Sequence, residues 1–284
     1  MVQLDRRLVP ARKDLVAGHL SEFYQISTTE DPQPARVAVA IANLRPRPDD
    51  AVVADTQLLF GETVNVFECG DIWAWVQSVA DGYVGFVERD NLDTRLDMPI
   101  SHRVATLGSN LYRSPSLKTP VISQLPFAAQ VSVSTSESGF ACIADDLWVP
   151  QPHLVAIEHA APDWVTVAEM FLGVPYLWGG RSNLGLDCSA LIQLARQASG
   201  FRCLRDSDMQ ATSEGTTLPD TAELERGDLL FWKGHVGVMT DRDTLLHANG
   251  HHMAVVREPV IDAIDRIQRS EGSPVTRRAR LRNT

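Results

Sequence analysis

Two stretches of this chain follow one plan, and the duplication restricts the fold more than any other feature. In ANLRPRPDDAVVADTQLLFGETVNVFECGDIWAWVQSVADGYVGFV an Asn-Leu pair opens the stretch and a proline stands five residues after the Asn. About 65 residues on, SNLYRSPSLKTPVISQLPFAAQVSVSTSESGFACIADDLWVP repeats that opening, then the polar loop, apolar segment, strand, turn and strand. The runs are β-branched or aromatic and short, and turn signals such as Asp81-Gly82 part them. Several short strands within so few residues close into a small barrel, so the repeat predicts two barrels, over 37–95 and 102–155, rather than one large sheet. Residues 1–36 read as an arm, with a short helix in PARKDLVAGHLSEF and an exposed linker in TTEDPQP.

Beyond His159 the period changes. APDWVTVAEMFLGV carries apolar residues at helical intervals, and Leu191, Leu194, Ala195 and Ala198 predict a second helix over about 187–199, directly after a glycine-rich loop. GDLLFWKGHVGVMTDRDTLLHANGHHMAVVREPV then reads as consecutive antiparallel strands, followed by a short helix in IDAIDRIQRS and a last strand near 275–282. Helices first and strands afterwards predict an α+β domain over 157–284.

Cys188 stands at the seam between the glycine loop and the helix. A thiolate on a helix's first turn gains from the unpaired backbone N–H groups there, which lowers its pKa, and a neighbouring imidazolium lowers it further. Two histidines suit that need. His235 opens HVGVM, and His247 lies in TLLHA twelve residues later. A hairpin around the Asp-Arg-Asp turn brings both to one end of the sheet, where one can serve as base and the other can orient it. A packed thiol with satisfied core histidines is the competing reading. A Cys-His-His zinc site lacks a fourth ligand or a short ligand pair.

The 284 residues carry a formal net charge of −10, which argues against nucleic acid or any polyanion as partner. Charges run through the first twenty residues and no stretch approaches the apolar length of a membrane span, so the expectation is a cytoplasmic protein with no membrane partner. Cys69, Cys142, Cys188 and Cys203 have neither metal-ligand nor disulfide-framework spacing and are expected as free thiols, with no metal and no cofactor.

YLWGGRSNLGLDCSALIQ, DSDMQ, RGDLLFWKGHVGVM and LLHA, in that order, resemble the NlpC family of bacterial cell-wall cysteine peptidases, a papain-like group. With two barrels ahead of them, the chain is similar to the cytoplasmic members that trim murein peptides, the γ-D-glutamyl-L-diamino acid endopeptidases. The resemblance implies a papain-like α+β catalytic domain, helices on an antiparallel sheet, preceded by two bacterial SH3-like barrels. It implies Cys188 as nucleophile, His235 as general base and His247 as the residue that orients it. The implied reaction is hydrolysis, through an acyl-enzyme, of the γ-D-Glu–meso-diaminopimelate bond in murein peptides with a free N-terminal L-Ala, in peptidoglycan recycling or cell-wall turnover. Implied readers of the substrate ammonium are Asp187, Ser189, Asp206 and Ser207, with Glu62 and Tyr83 from the first barrel; carboxylates are suitable partners for an ammonium. The chain departs from the family pattern at Ala190, usually Gly, and at Arg226, usually Pro, and neither change removes a catalytic group. Two other functions fit the same motifs: a non-catalytic module that grips cell-wall peptide, and Cys-His acyl transfer or amidase chemistry on the same fold. The oligomeric state is left open.

Overall fold

In the computed structural model, which describes residues 5–24, 29–144 and 147–281, the chain divides into two compact units, 1–157 and 158–284. The first unit holds the repeated plan. Strand Gln33–Val37 pairs with Thr63–Cys69, which continues through Trp73–Ser78 to Val84–Glu88, and Leu92–Asp93 closes the other edge. A separate hairpin, Ile41–Leu44 with Thr56–Leu59, joins this sheet through a bridge between Arg45 and Phe86. The expected boundary between residues 36 and 37 falls inside the first strand, and Gln33 and Pro34, expected in a linker, lie within it. At the Asp81-Gly82 turn, Gly82 takes φ 81°, and the Asp81 carboxylate accepts the Tyr83 N–H at 3.1 Å. This is the backbone freedom that Gly supplies there and the local capping that Asp supplies.

The second copy forms a five-stranded sheet in the order Val121–Pro126, Gly108–Tyr112, Leu147–Pro150, Phe140–Ala144, Thr135–Glu137, with a three-stranded sheet around His102–Val104. Its core is Val104, Leu111, Leu125, Ala129, Val131, Ile143 and Val149. The duplication is visible at the side chains. Gln57 donates to Asn43 across one hairpin at 3.2 Å, and Gln124 donates to Asn110 across the other at 3.3 Å.

The arm packs on the first barrel. Leu15 and Ala17 are buried with Phe67, Trp75 and Val84, and the Arg12 guanidinium lies 4.6 Å from the Trp75 ring while pairing with Glu68 and Asp14. Its helical segment, Gly18–Phe23, is a 3-10 helix.

In the second unit, α1 (Trp164–Glu169) is capped by Asp163, and α2 (Cys188–Ala198) is buried along almost its whole length. α3 (Ser207–Ser213) precedes an antiparallel sheet built from β1 (Leu229–Trp232), β2 (His235–Met239), β3 (Thr244–Asn249), β4 (Ala254–Pro259) and β5 (Arg277–Arg280). The order is Thr216–Thr217, β5, β1, β2, β3, β4, and each adjacent pair is antiparallel. α4 (Val260–Glu271) follows β4 and buries Val260, Ala263 and Ile267 among Leu230, Trp232, Met239 and Leu245. That spacing of buried residues is one face of a helix.

Arg226, the residue in place of a proline, is bonded to Asp163 at 2.8 Å and Glu169 at 2.9 Å, the cap and last residue of α1. Asp228 fixes the adjoining turn through the Glu225 N–H and pairs with Arg280 on β5.

Candidate active site

The glycine loop folds into a tight hairpin, Arg181–Ser182 against Gly185–Leu186, immediately before α2. Its glycines serve the packing of the chain on itself: a Cβ on Gly180 would lie 2.5 Å from the Gly185 carbonyl oxygen. The hairpin delivers Asp187 to the N-cap of α2, where its Oδ1 accepts the Ala190 N–H at 2.8 Å. Cys188 is therefore the first helical residue, the position whose backbone N–H has no partner within the helix.

Asp187 is held from all sides. Arg205, whose side chain is fully buried, pairs with both of its oxygens at 2.9 and 2.7 Å, and also reaches Ser189 Oγ and the Gly180 carbonyl. Gly179 N–H and Ser189 O–H add two further donors, at 3.1 Å each. Five donors converge on a carboxylate with about four acceptor sites, so it is saturated. The contacts of Asp187 and Ser189, both expected as readers of a substrate ammonium, anchor the start of α2. Gln210, from α3, donates to the Ser189 carbonyl at 2.9 Å and ties the same turn to the segment that carries Arg205. Asp206 and Ser207, half-buried at the N-cap and first position of α3, follow Arg205 directly.

Across from α2, the Val236 backbone N–H faces the Cys188 sulfur. His235, the preceding residue, places Nε2 2.8 Å from His247 Nδ1. The β2–β3 register, Val238 opposite Leu246, brings these two histidines to one end of the sheet. His247 is fully buried, and its Nε2 lies 2.6 Å from Glu258 Oε1, which Arg266 of α4 also engages. Glu258 reaches the ring because His247 pairs with Val256 across β3 and β4, which makes Glu258 its diagonal neighbour on the same face.

Burial opposes the expected thiolate. Burial, then the Asp187 charge, push the Cys188 thiol up to about 12, against the opposing pull of the Val236 N–H, Arg205 and the Ser189 N–H. Burial likewise pushes His235 down to about 3 and lowers His247. The resting pair is a neutral thiol and a neutral imidazole. Tyr176 is raised as well, by burial first and then by Cys188 and Asp187, so its phenol stays protonated beside the sulfur.

Thus Cys188, His235 and His247 are brought together, with Asp187 and Ser189 supporting the helix that carries the thiol. Glu62 and Tyr83 belong to the first unit, where both are buried. Glu62 Oε2 accepts the Leu59 N–H across its own turn at 2.9 Å, and Tyr83 follows the Asp81-Gly82 turn. Arg205, Gln210 and Glu258 were not singled out from sequence. Arg205 immediately precedes the motif DSDMQ and Gln210 is its last residue, whereas Glu258 has no local signal and depends on strand register.

Residues 173–267 match the NlpC/P60 family, and residues 44–92 match the bacterial dipeptidyl-peptidase Sh3 domain. The chain is 30% identical to the γ-D-glutamyl-L-lysine dipeptidyl-peptidase of Bacillus subtilis (strain 168) over 223 residues, covering 69% of this chain and 72% of that protein. It is 28% identical to dipeptidyl-peptidase 6 of Lysinibacillus sphaericus, covering 76% of this chain and 87% of the relative. The fold matches the crystal structure of an NlpC/P60 family protein from Bacillus cereus with a TM-score of 0.72 at 20% identity, over 87% of this chain and 99% of that one. The chain belongs to the NlpC/P60 family of cysteine peptidases.

Proposed function

We propose that this peptidase hydrolyses the amide between γ-D-Glu and the L-diamino acid of murein peptides that carry a free N-terminal L-Ala. The observation that carries the reading is the arrangement around one sulfur: Cys188 at the first position of α2, the Val236 N–H against it, and His235 bonded to His247 at 2.8 Å. The name of the Bacillus subtilis relative supports the γ-D-glutamyl bond as the target. As Cys188 Sγ attacks the carbonyl carbon, its proton passes to His235, and His247 keeps the ring oriented. The oxyanion forms at the start of α2, where the Cys188 backbone N–H and the helix dipole favour negative charge, and the protonated Tyr176 phenol is a second donor. Collapse expels the diamino acid amine, which takes the proton back from His235, and leaves a thioester. Water, deprotonated by His235, then releases L-Ala-D-Glu and restores the thiol.

Asp206, half-buried at the N-cap of α3 with Ser207 beside it, is the carboxylate assigned to the substrate ammonium. The exposed free thiol of Cys69 suits a reducing compartment, and the cytoplasm is the assigned location. The test incubates the purified full chain with L-Ala-γ-D-Glu-meso-diaminopimelate, its L-lysine counterpart and the N-acetylated form of each, and identifies products by mass spectrometry. Release of L-Ala-D-Glu from the free-amine peptides only, abolished in Cys188→Ala, is the expected result. Equal cleavage of acetylated and free peptides removes the ammonium requirement, and transfer to an added amine in place of hydrolysis reassigns the chemistry.

A further inference from the structure

We infer that Glu258 is a positioning residue that selects the proton tautomer of both active-site histidines and so leaves His235 Nδ1 bare to take the proton of Cys188. The inference rests on the reading of Cys188 as nucleophile and His235 as base.

A histidine in the orienting position has an ambiguity that a carboxylate or an amide would not have. A neutral imidazole donates from one nitrogen and accepts at the other. If His247 carries its proton on Nε2, its Nδ1 must accept from His235 Nε2–H, and His235 Nδ1 is then a lone pair. With the proton on Nδ1, His247 donates instead, His235 Nε2 accepts, and the His235 proton moves to Nδ1, where it blocks the base. Two groups compete for His247 Nε2. Glu258 Oε1 lies 2.6 Å away and Asn249 Nδ2 lies 3.0 Å away. Asn249 Oδ1 accepts the His252 backbone N–H at 2.8 Å, which turns the amide NH2, a donor, toward the ring. Asn249 therefore favours the blocked tautomer and Glu258 the competent one.

Glu258 prevails. Two acceptors with no proton between them repel at 2.6 Å, so an ionised carboxylate at that distance requires Nε2–H. Burial alone would raise the Glu258 carboxyl, yet the bonds from His247 and Arg266 outweigh it and hold it down to about 2. The charged and polar groups facing the His247 ring are His235 from β2, Asn249 from β3, Glu258 from β4, Arg266 from α4 and His252 after β3. A purely structural role for Glu258, fastening α4 to β4 through Arg266, would leave the tautomers unmoved.

The test uses the full chain labelled with 15N-histidine. Long-range 1H–15N spectra at pH 7 report which nitrogen of His235 and of His247 is protonated. Nε2–H on both rings is expected in the wild type and in Arg266→Gln, and a shift to Nδ1–H on both in Glu258→Leu. The alkylation rate of Cys188 by iodoacetamide should fall about 100-fold in Glu258→Leu, the lower end of what a competent general base contributes. On murein peptide, kcat should fall by the same factor while KM stays within about twofold. If Glu258→Leu does not fold, the isosteric Glu258→Gln is read the same way, with a mixture of tautomers expected. A folded Glu258→Leu with unchanged tautomers and alkylation overturns the inference. If the wild type cuts no murein peptide while tautomers and alkylation shift as stated, the substrate reading fails and the role of Glu258 stands.

Discussion

At the residue scale, the consequence of burial is that the nucleophile is made during the reaction and is not stored. With the Cys188 thiol raised to about 12 and His235 lowered to about 3, both groups are neutral across the middle of the pH range. The general base is competent above its own pKa, and the thiol still has a proton to give below its own. The kcat/KM profile of the free enzyme is therefore expected to stay flat between about pH 5 and 9 as far as these two groups are concerned. A limb near pH 7, or alkylation of Cys188 that is already fast at pH 5, would instead reveal a stored thiolate–imidazolium pair. Arg205 has a different role, since it neutralises the carboxylate that caps the helix of the nucleophile. Arg205→Met leaves Asp187 charged and buried, and about 3–5 kcal/mol of stability should be lost, read from urea unfolding. Cys188, His235 and His247 were legible because their types and order are local motif features. Arg205 was not, because a buried arginine differs from a surface one only in what surrounds it.

Elements decide what the glycine loop is for. In the chain it reads only as a glycine-rich approach to the helix, and in the fold it is a hairpin packed closely on itself. Gly180→Ala forces a Cβ to within 2.5 Å of a carbonyl oxygen, and a cost of about 1–3 kcal/mol in guanidinium unfolding is expected, with kcat reduced because Asp187 and α2 shift together. Arg226 is the opposite case. Its pairs with Asp163 and Glu169 are part-exposed, so Arg226→Ala should cost no more than about 1 kcal/mol and leave activity intact, as thermal melts and turnover would show. The strands of the barrels and the β2–β3 hairpin were readable from alternation and turn residues. The placement of Glu258 beside His247 was not, since it requires the β3–β4 register, and a slip of one residue would turn the carboxylate to the other face.

On the scale of the whole molecule, the buried histidines link folding to pH. A His235 lowered to about 3 binds fewer protons when folded than the unfolded chain binds below its ordinary 6.5, so stability rises with pH across that window. Glu258, lowered from 4.5 to about 2, adds to the same trend: its contribution is full above its ordinary value and is lost as pH falls through its folded one. Urea unfolding of the full chain should show stability declining from about pH 6.5 downward, and His235→Gln should flatten the upper part of that decline; no change between pH 7 and 4.5 would contradict the burial of these rings. The duplicated stretches by themselves pointed to short antiparallel strands repeated in two copies, because strand alternation and hairpin turns are local interactions; the Asn–Gln bond in each copy came only with the structure. The seam at Cys188 likewise determined a thiol on the first turn of a helix. Only the tertiary structure decided that this thiol rests protonated, that Asp187 is a saturated cap, and that Glu258 stands behind His247. Desolvation and ion pairing depend on groups brought together from distant parts of the chain, and no spacing along the chain encodes the dielectric they will share.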